Sequence, residues 1–113
     1  EEVLMWIFTT KGFVSIVQHK DMSEFFQVKS RVPDPLRYMF PDEEIEVIDW
    51  ADYRFRITVG KEDVLDAVIR EMRSTLYTSF KDACYDEDYH YALTRIWGIM
   101  YSFQGRMKIK AGR

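Results

Sequence analysis

The chain reads as an α+β protein, and three stretches carry that reading. Tyr53-Arg54-Phe55-Arg56-Ile57-Thr58-Val59 alternates apolar and polar residues without a break, the period of a half-buried strand. From Glu62 to Tyr77, Val64, Leu65, Val68, Ile69, Met72 and Leu76 recur at three- and four-residue spacing, the period of a helix with one apolar side. A second helical pattern runs from about Asp86 or Asp88 to Gln104, with Tyr89, Leu93, Ile96, Trp97, Met100 and Phe103 on its inner side. Together these predict an antiparallel sheet of two β-hairpins with helices packed on one face. The order β-β-α-β-β-α-α is that of a ferredoxin-like or related two-layer sandwich.

Met5 to His19 is rich in Thr, Val, Ile and aromatic residues, with Gly12 as its bend, and reads as two short strands or one kinked strand. Past Gly12, Phe13, Ser15 and Val17 share one face, taken as the core face, and Val14 and Ile16 share the other. His19-Lys20-Asp21-Met22-Ser23 is a polar turn, and Phe25 to Val32 resumes the alternation with Phe26, Val28 and Val32 opposite Gln27, Lys29 and Arg31. Pro33-Asp34-Pro35 stops that strand and starts a short helix, with Asp34 as N-cap and Pro35 at the first helical position. Pro41 ends it, Ile45 to Trp50 forms the next strand, and Ala51-Asp52 turns into the strand at Tyr53. Glu62 and Asp63 open the first long helix, where acids suit the helix dipole. Gly105 stands where a cap would end the second. The expected core is Phe55, Ile57, Val68, Ile69, Leu93 and Trp97 in one cluster, since a sheet face and two helical stripes bury one another.

With 113 residues, 47% hydrophobic and 16% aromatic, one globular domain over residues 5–104 has ample material for a core. Residues 1–4 and 105–113 read as flexible or vector-derived ends. No apolar run approaches the roughly 20 residues a membrane helix needs, and the first residues lack a signal-like pattern, so a soluble, cytoplasmic protein is expected. Cys84 stands alone, which excludes an intramolecular disulfide and a cysteine zinc site and leaves a small buried hydrophobe. The net charge of -3 is uneven: Arg106, Lys108, Lys110 and Arg113 lie in the last nine residues, which contain no acid, and the remainder carries 12 basic against 19 acidic residues. Such an acidic body sets general affinity for nucleic acid aside.

Several strings resemble a family of small, conserved, functionally uncharacterised bacterial single-domain proteins. They are Met5-Trp6-Ile7-Phe8-Thr9-Thr10-Lys11-Gly12-Phe13, Ser15 with Val17-Gln18-His19, Asp52-Tyr53-Arg54, Phe80-Lys81-Asp82, and Trp97 with Met100-Tyr101. The resemblance spans most of residues 5–104. It implies a bacterial single-domain protein and brings no activity, ligand or catalytic residue with it. The segment Leu36 to Phe40 is shorter than the helix expected there by that resemblance.

The chemistry the sequence offers is sparse. Lys29 and Arg31 on one strand and Arg54 and Arg56 on another fall on the non-core face, where four cations form an anion site if the strands are neighbours. The ordinary reading of the same residues is a solvated face paired with acids such as Glu24, Glu46 and Asp49. A sheet that reads RNA adds stacked aromatic residues to that face, and the strand at Tyr53 offers Arg, Arg and Thr instead. Asp86-Glu87-Asp88 beside His90 reads as a helix start more readily than as metal ligands, so no metal and no cofactor is expected. Two functional classes follow. One is a non-catalytic binding module that uses Lys29, Arg31, Arg54 and Arg56, with His19 nearby, and self-associates through Val14, Ile16 and Phe25 on the outer sheet face. The other is a small enzyme acting on an anionic substrate in a pocket of His19, Arg54 and Arg56.

Overall fold

The computed structural model describes residues 4–112. Its elements are β1 (Leu4–Thr9), β2 (Gly12–Gln18), β3 (Phe25–Ser30), α1 (Asp34–Met39), β4 (Glu46–Val47), β5 (Phe55–Gly60), α2 (Lys61–Arg73), a 3-10 turn at Lys81–Ala83, and α3 (Glu87–Ala111). The strands form one antiparallel sheet in the order β1-β2-β3-β5-β4, so the α+β fold and its antiparallel pairing stand as expected. The chain divides into two compact units, one ending at Leu76 and the other beginning at Tyr77.

The first unit holds the sheet, α1 and α2. The turn at Thr10-Lys11 closes with Thr9 opposite Gly12, so Phe8 faces Phe13, Ile7 faces Val14 and Met5 faces Ile16. Thr9 Oγ1 accepts from the Lys11 amide and donates to the Gly12 carbonyl, each at 3.1 Å, which holds the turn shut. Further pairings align Ile16, Val28 and Ile57 across β2, β3 and β5, with Phe26 opposite Val59. The core grows from this row: Val14, Ile16, Val28, Ile57 and Val59 from the sheet meet Leu36, Met39 and Phe40 around α1 and Val64 and Ala67 of α2. Val14 is fully buried and Ile16 nearly so.

That register corrects β2. Its core face is Val14 and Ile16, and Phe13, Ser15 and Val17 lie on the opposite face, the reverse of the sequence expectation. Both sets are largely buried, Ser15 and Val17 included, so alternation alone gave no way to choose. Val14 and Ile16, two of the three residues expected to carry self-association, are instead buried in the core, and only Phe25 stays off the core face.

The helices differ from expectation in length and side. In α1 the cap is Pro33, one residue early, and Leu36 and Met39 enter the core. The strand expected from Ile45 to Trp50 shrinks to Glu46–Val47. α2 ends at Arg73 and buries Val64 and Ala67, with Val68 packed beside them. Leu65, Ile69 and Met72 lie about a quarter-turn round the helix and are exposed, Ile69 by 46%, so Ile69 is not the core residue expected; Leu76, past the end of the helix, is exposed too. Trp97 is likewise exposed, by 55%.

The second unit is built on α3, which begins as read: Asp86 is its N-cap, accepting from the Tyr89 amide at 2.9 Å. It does not stop at Gly105 but continues to Ala111. Around its start, Leu93 and Cys84 are buried, the Cys84 thiol donates to the Phe80 carbonyl at 3.2 Å, and Lys81 Nζ lies 4.9 Å from the Trp97 ring.

Candidate functional site

The face of the sheet opposite the core is where the sequence placed a site, and the register shows what stands there. One rung crosses four strands as Trp6, Ser15, Lys29 and Arg56, and continues to Glu46 of β4. Lys29 and Arg56 are direct cross-strand neighbours, with Cβ atoms about 5 Å apart. Two like charges at that distance disfavour one another unless acids or a ligand offset them. Arg56 donates from an Nη to the Tyr53 carbonyl at 3.1 Å, while its buried Nε has no acceptor.

Arg31 and Arg54 are arranged differently. Arg31 follows the end of β3 and donates to Asp52 Oδ1 at 3.0 Å and to the Asp52 carbonyl at 3.1 Å. The Asp52 hydrogen bond pushes the Arg31 pKa up, against a smaller opposing effect of burial. Arg54 precedes β5 and pairs with Asp49 Oδ1 at 2.7 Å. Both pairs are well exposed, so each contributes only about 0–1 kcal/mol. Arg31 and Arg54 thus have the acid neighbours of the ordinary reading, and Glu46 of β4 stands directly across from Arg56. The cross-strand pair of Lys29 and Arg56 is the part that the register concentrates.

His19 does not join them. It lies in the β2–β3 turn, where its Nδ1 accepts from the amides of Asp21 and Met22, each at 3.1 Å. That turn sits at the Phe25 and Gly60 end of the sheet, while Arg54 and Arg31 sit beyond the Ser30 and Phe55 end. Five strand steps, about 17 Å, separate the two ends. The pocket of His19, Arg54 and Arg56 is therefore not assembled.

Aromatic residues flank the cations, and the sequence reading missed them because it turned β2 the wrong way. Phe8 and Phe13 stack at 4.7 Å, Trp6 meets Phe13 edge-on at 5.5 Å, and Tyr53 lies 6.3 Å from Phe13. The Arg31 guanidinium covers the Tyr53 ring at 4.3 Å, a cation–π contact. Trp6 remains 58% exposed. The signal was available: a two-residue turn before Gly12 fixes Phe8 opposite Phe13, and the aliphatic Ile7, Val14 and Ile16 then make the more core-like set.

Nothing else among the described residues competes as a site. No three metal-binding side chains come together, and no helix is long and apolar enough to cross a membrane. Two shallow depressions, one lined by Tyr38, Met39, Arg70, Glu71, Arg73 and Ser74 and one along α3, contain no residue of the sheet face. Compared with known proteins, the chain matches no family model, no curated protein and no solved structure.

Proposed function

We propose that this protein is a non-catalytic binding module that holds an anionic ligand or partner on the outer face of its sheet. The observation that carries the reading is the direct cross-strand placement of Lys29 and Arg56 beside the Trp6, Phe8 and Phe13 cluster. Like charges on adjacent strands gain from an anion placed between them. Arg31 and Arg54 widen the positive edge, since exposed ion pairs yield to a competing anion at small cost. Supporting a binding role over catalysis, His19 lies in the turn at the Phe25 end of the sheet, four strand steps from the level of Arg56, about 14 Å along the strand, and further from Arg54.

Titration with tripolyphosphate at low ionic strength, followed by amide NMR shifts, tests this. Saturable shifts centred on Lys29, Arg56 and Trp6 are expected. They should vanish in the Lys29→Gln, Arg56→Gln double variant, weaken less in Arg54→Gln, and fall steeply with added salt. Absence of any saturable shift, or shifts unchanged by the double variant, would overturn the reading.

A further inference from the structure

α3 carries more uncovered apolar surface than a helix on its own tolerates. Past Leu93, Ile96, Ile99, Met100, Phe103 and Met107 recur at three- and four-residue spacing and are exposed by 37–65%. They form one stripe. Continued at the same spacing, the stripe passes through Ala92 to Asp88 at one end and reaches Lys110 at the other. No acid follows Asp88 in the helix, and its last two turns carry Arg106, Lys108 and Lys110.

Gly98 and Gly105 add a second consideration. Both lie inside the helix, and a Cβ at either would meet nothing within 4 Å, so no close packing on that side calls for glycine. Each lowers helix stability by roughly 1 kcal/mol relative to alanine. A helix weakened twice in its interior takes its stability from packing of its apolar face.

We infer that α3 pairs with α3 of a second copy of this chain, side by side and antiparallel, along the Ile96–Met107 stripe. The occupant and its direction follow from the ends of the stripe. Antiparallel pairing about Ile99 and Met100 sets Ile96 level with the partner's Phe103 and Ala92 level with the partner's Met107. Asp88 then comes within one residue of the level of the partner's Lys110, and the same pair recurs at the other end by symmetry. Parallel pairing would set Asp88 against Asp88 and Lys110 against Lys110. The polarity also suits the helix's own dipole; a second copy makes use of the apolar stripe between the charged ends as well.

Sedimentation velocity on the full chain from low to high micromolar concentration is the test. The wild type is expected to dimerise. Met100→Glu should be monomeric with unchanged circular dichroism, and Thr94→Glu, the same added charge on the opposite side of the helix, should remain dimeric. Lys110→Glu and Asp88→Lys should each weaken the dimer about tenfold at low salt, and mixing the two should restore it. A wild type that stays monomeric, or a dimer that survives Met100→Glu, overturns the inference. A dimer broken by Met100→Glu but indifferent to the charge variants overturns the antiparallel arrangement.

Discussion

Gly12→Ala should be among the most damaging small substitutions in this protein. Gly12 opens β2 with φ at +143°, a backbone region open to glycine and closed to almost everything else. An added Cβ would also stand 2.9 Å from Pro35 Cγ and 3.1 Å from both Cβ and Cδ of that ring. Pro35 is fully buried and cannot swing aside, because its ring is part of the backbone of α1. The backbone strain is worth about 1–3 kcal/mol and the overpacking a further ~1–3 kcal/mol. Urea denaturation should therefore show a loss of roughly 2–6 kcal/mol. At about 4 °C per kcal/mol for a chain of this size, the midpoint of thermal unfolding should drop by ~8–24 °C. Pro35→Ala removes Cγ and Cδ, so the cost of Gly12→Ala should be smaller in that background by the steric share. The same chemical change at Gly105, helical and open, should stabilise α3 by up to ~1 kcal/mol. A Gly12→Ala variant within 0.5 kcal/mol of wild type would refute the argument, since neither the strain nor the clash could then be real.

Other expectations are read the same way. Ile57→Ala, at a site 2% exposed, should cost ~2–5 kcal/mol, whereas Ile69→Ala, nearly half exposed, should cost under ~1 kcal/mol; chemical denaturation compares them, and equal losses would contradict the core described above. Asp86→Ala removes the N-cap of α3 and should cost about 1 kcal/mol, with the loss appearing in helical circular dichroism. Burial pushes the Cys84 thiol up from its ordinary value of 9.0. Because the raised group is held neutral in the folded protein, its contribution to stability is complete below pH 9.0 and is lost as the pH climbs towards the folded value. Native protein should accordingly react with a thiol reagent far more slowly at pH 8 than the urea-unfolded chain does, and equal rates would count against a buried Cys84.

How much could be read from the residues varied with how strongly each stretch constrained itself. β5 was legible because Arg54, Arg56 and Thr58 alternate with Phe55, Ile57 and Val59, and only one of those sets can line a core. β2 was not, since it is buried on both sides and period two says nothing about which side is which. Reversing it hid the aromatic flank of the candidate site and sent Val14 and Ile16 to the surface on paper. In α2 the apolar residues span more than a third of a turn, and the sheet selects Val64, Ala67 and Val68 from them. Gly105 failed as a stop because the residues after it, Arg106 to Lys110, favour helix. Of the four cations, Lys29 and Arg56 lie on neighbouring strands while Arg31 and Arg54 fall just outside them, where their partners depended on the loop at Asp49 and Asp52, whose path no local pattern encodes.

The two borders of the sheet are unequal. On one side β4 is only Glu46–Val47, within an acidic stretch that includes Asp42, Glu43 and Glu44, and offers an incoming strand little backbone and much repulsion. On the other, β1 runs for six residues, Leu-Met-Trp-Ile-Phe-Thr, with no charge, no proline and no neighbour beyond it among the described strands. An extended segment that meets this molecule, from its own chain or another, finds a longer and less charged template at β1 than at β4. A lysine at the outer border, as in Met5→Lys, is the substitution by which solubility on storage should improve first.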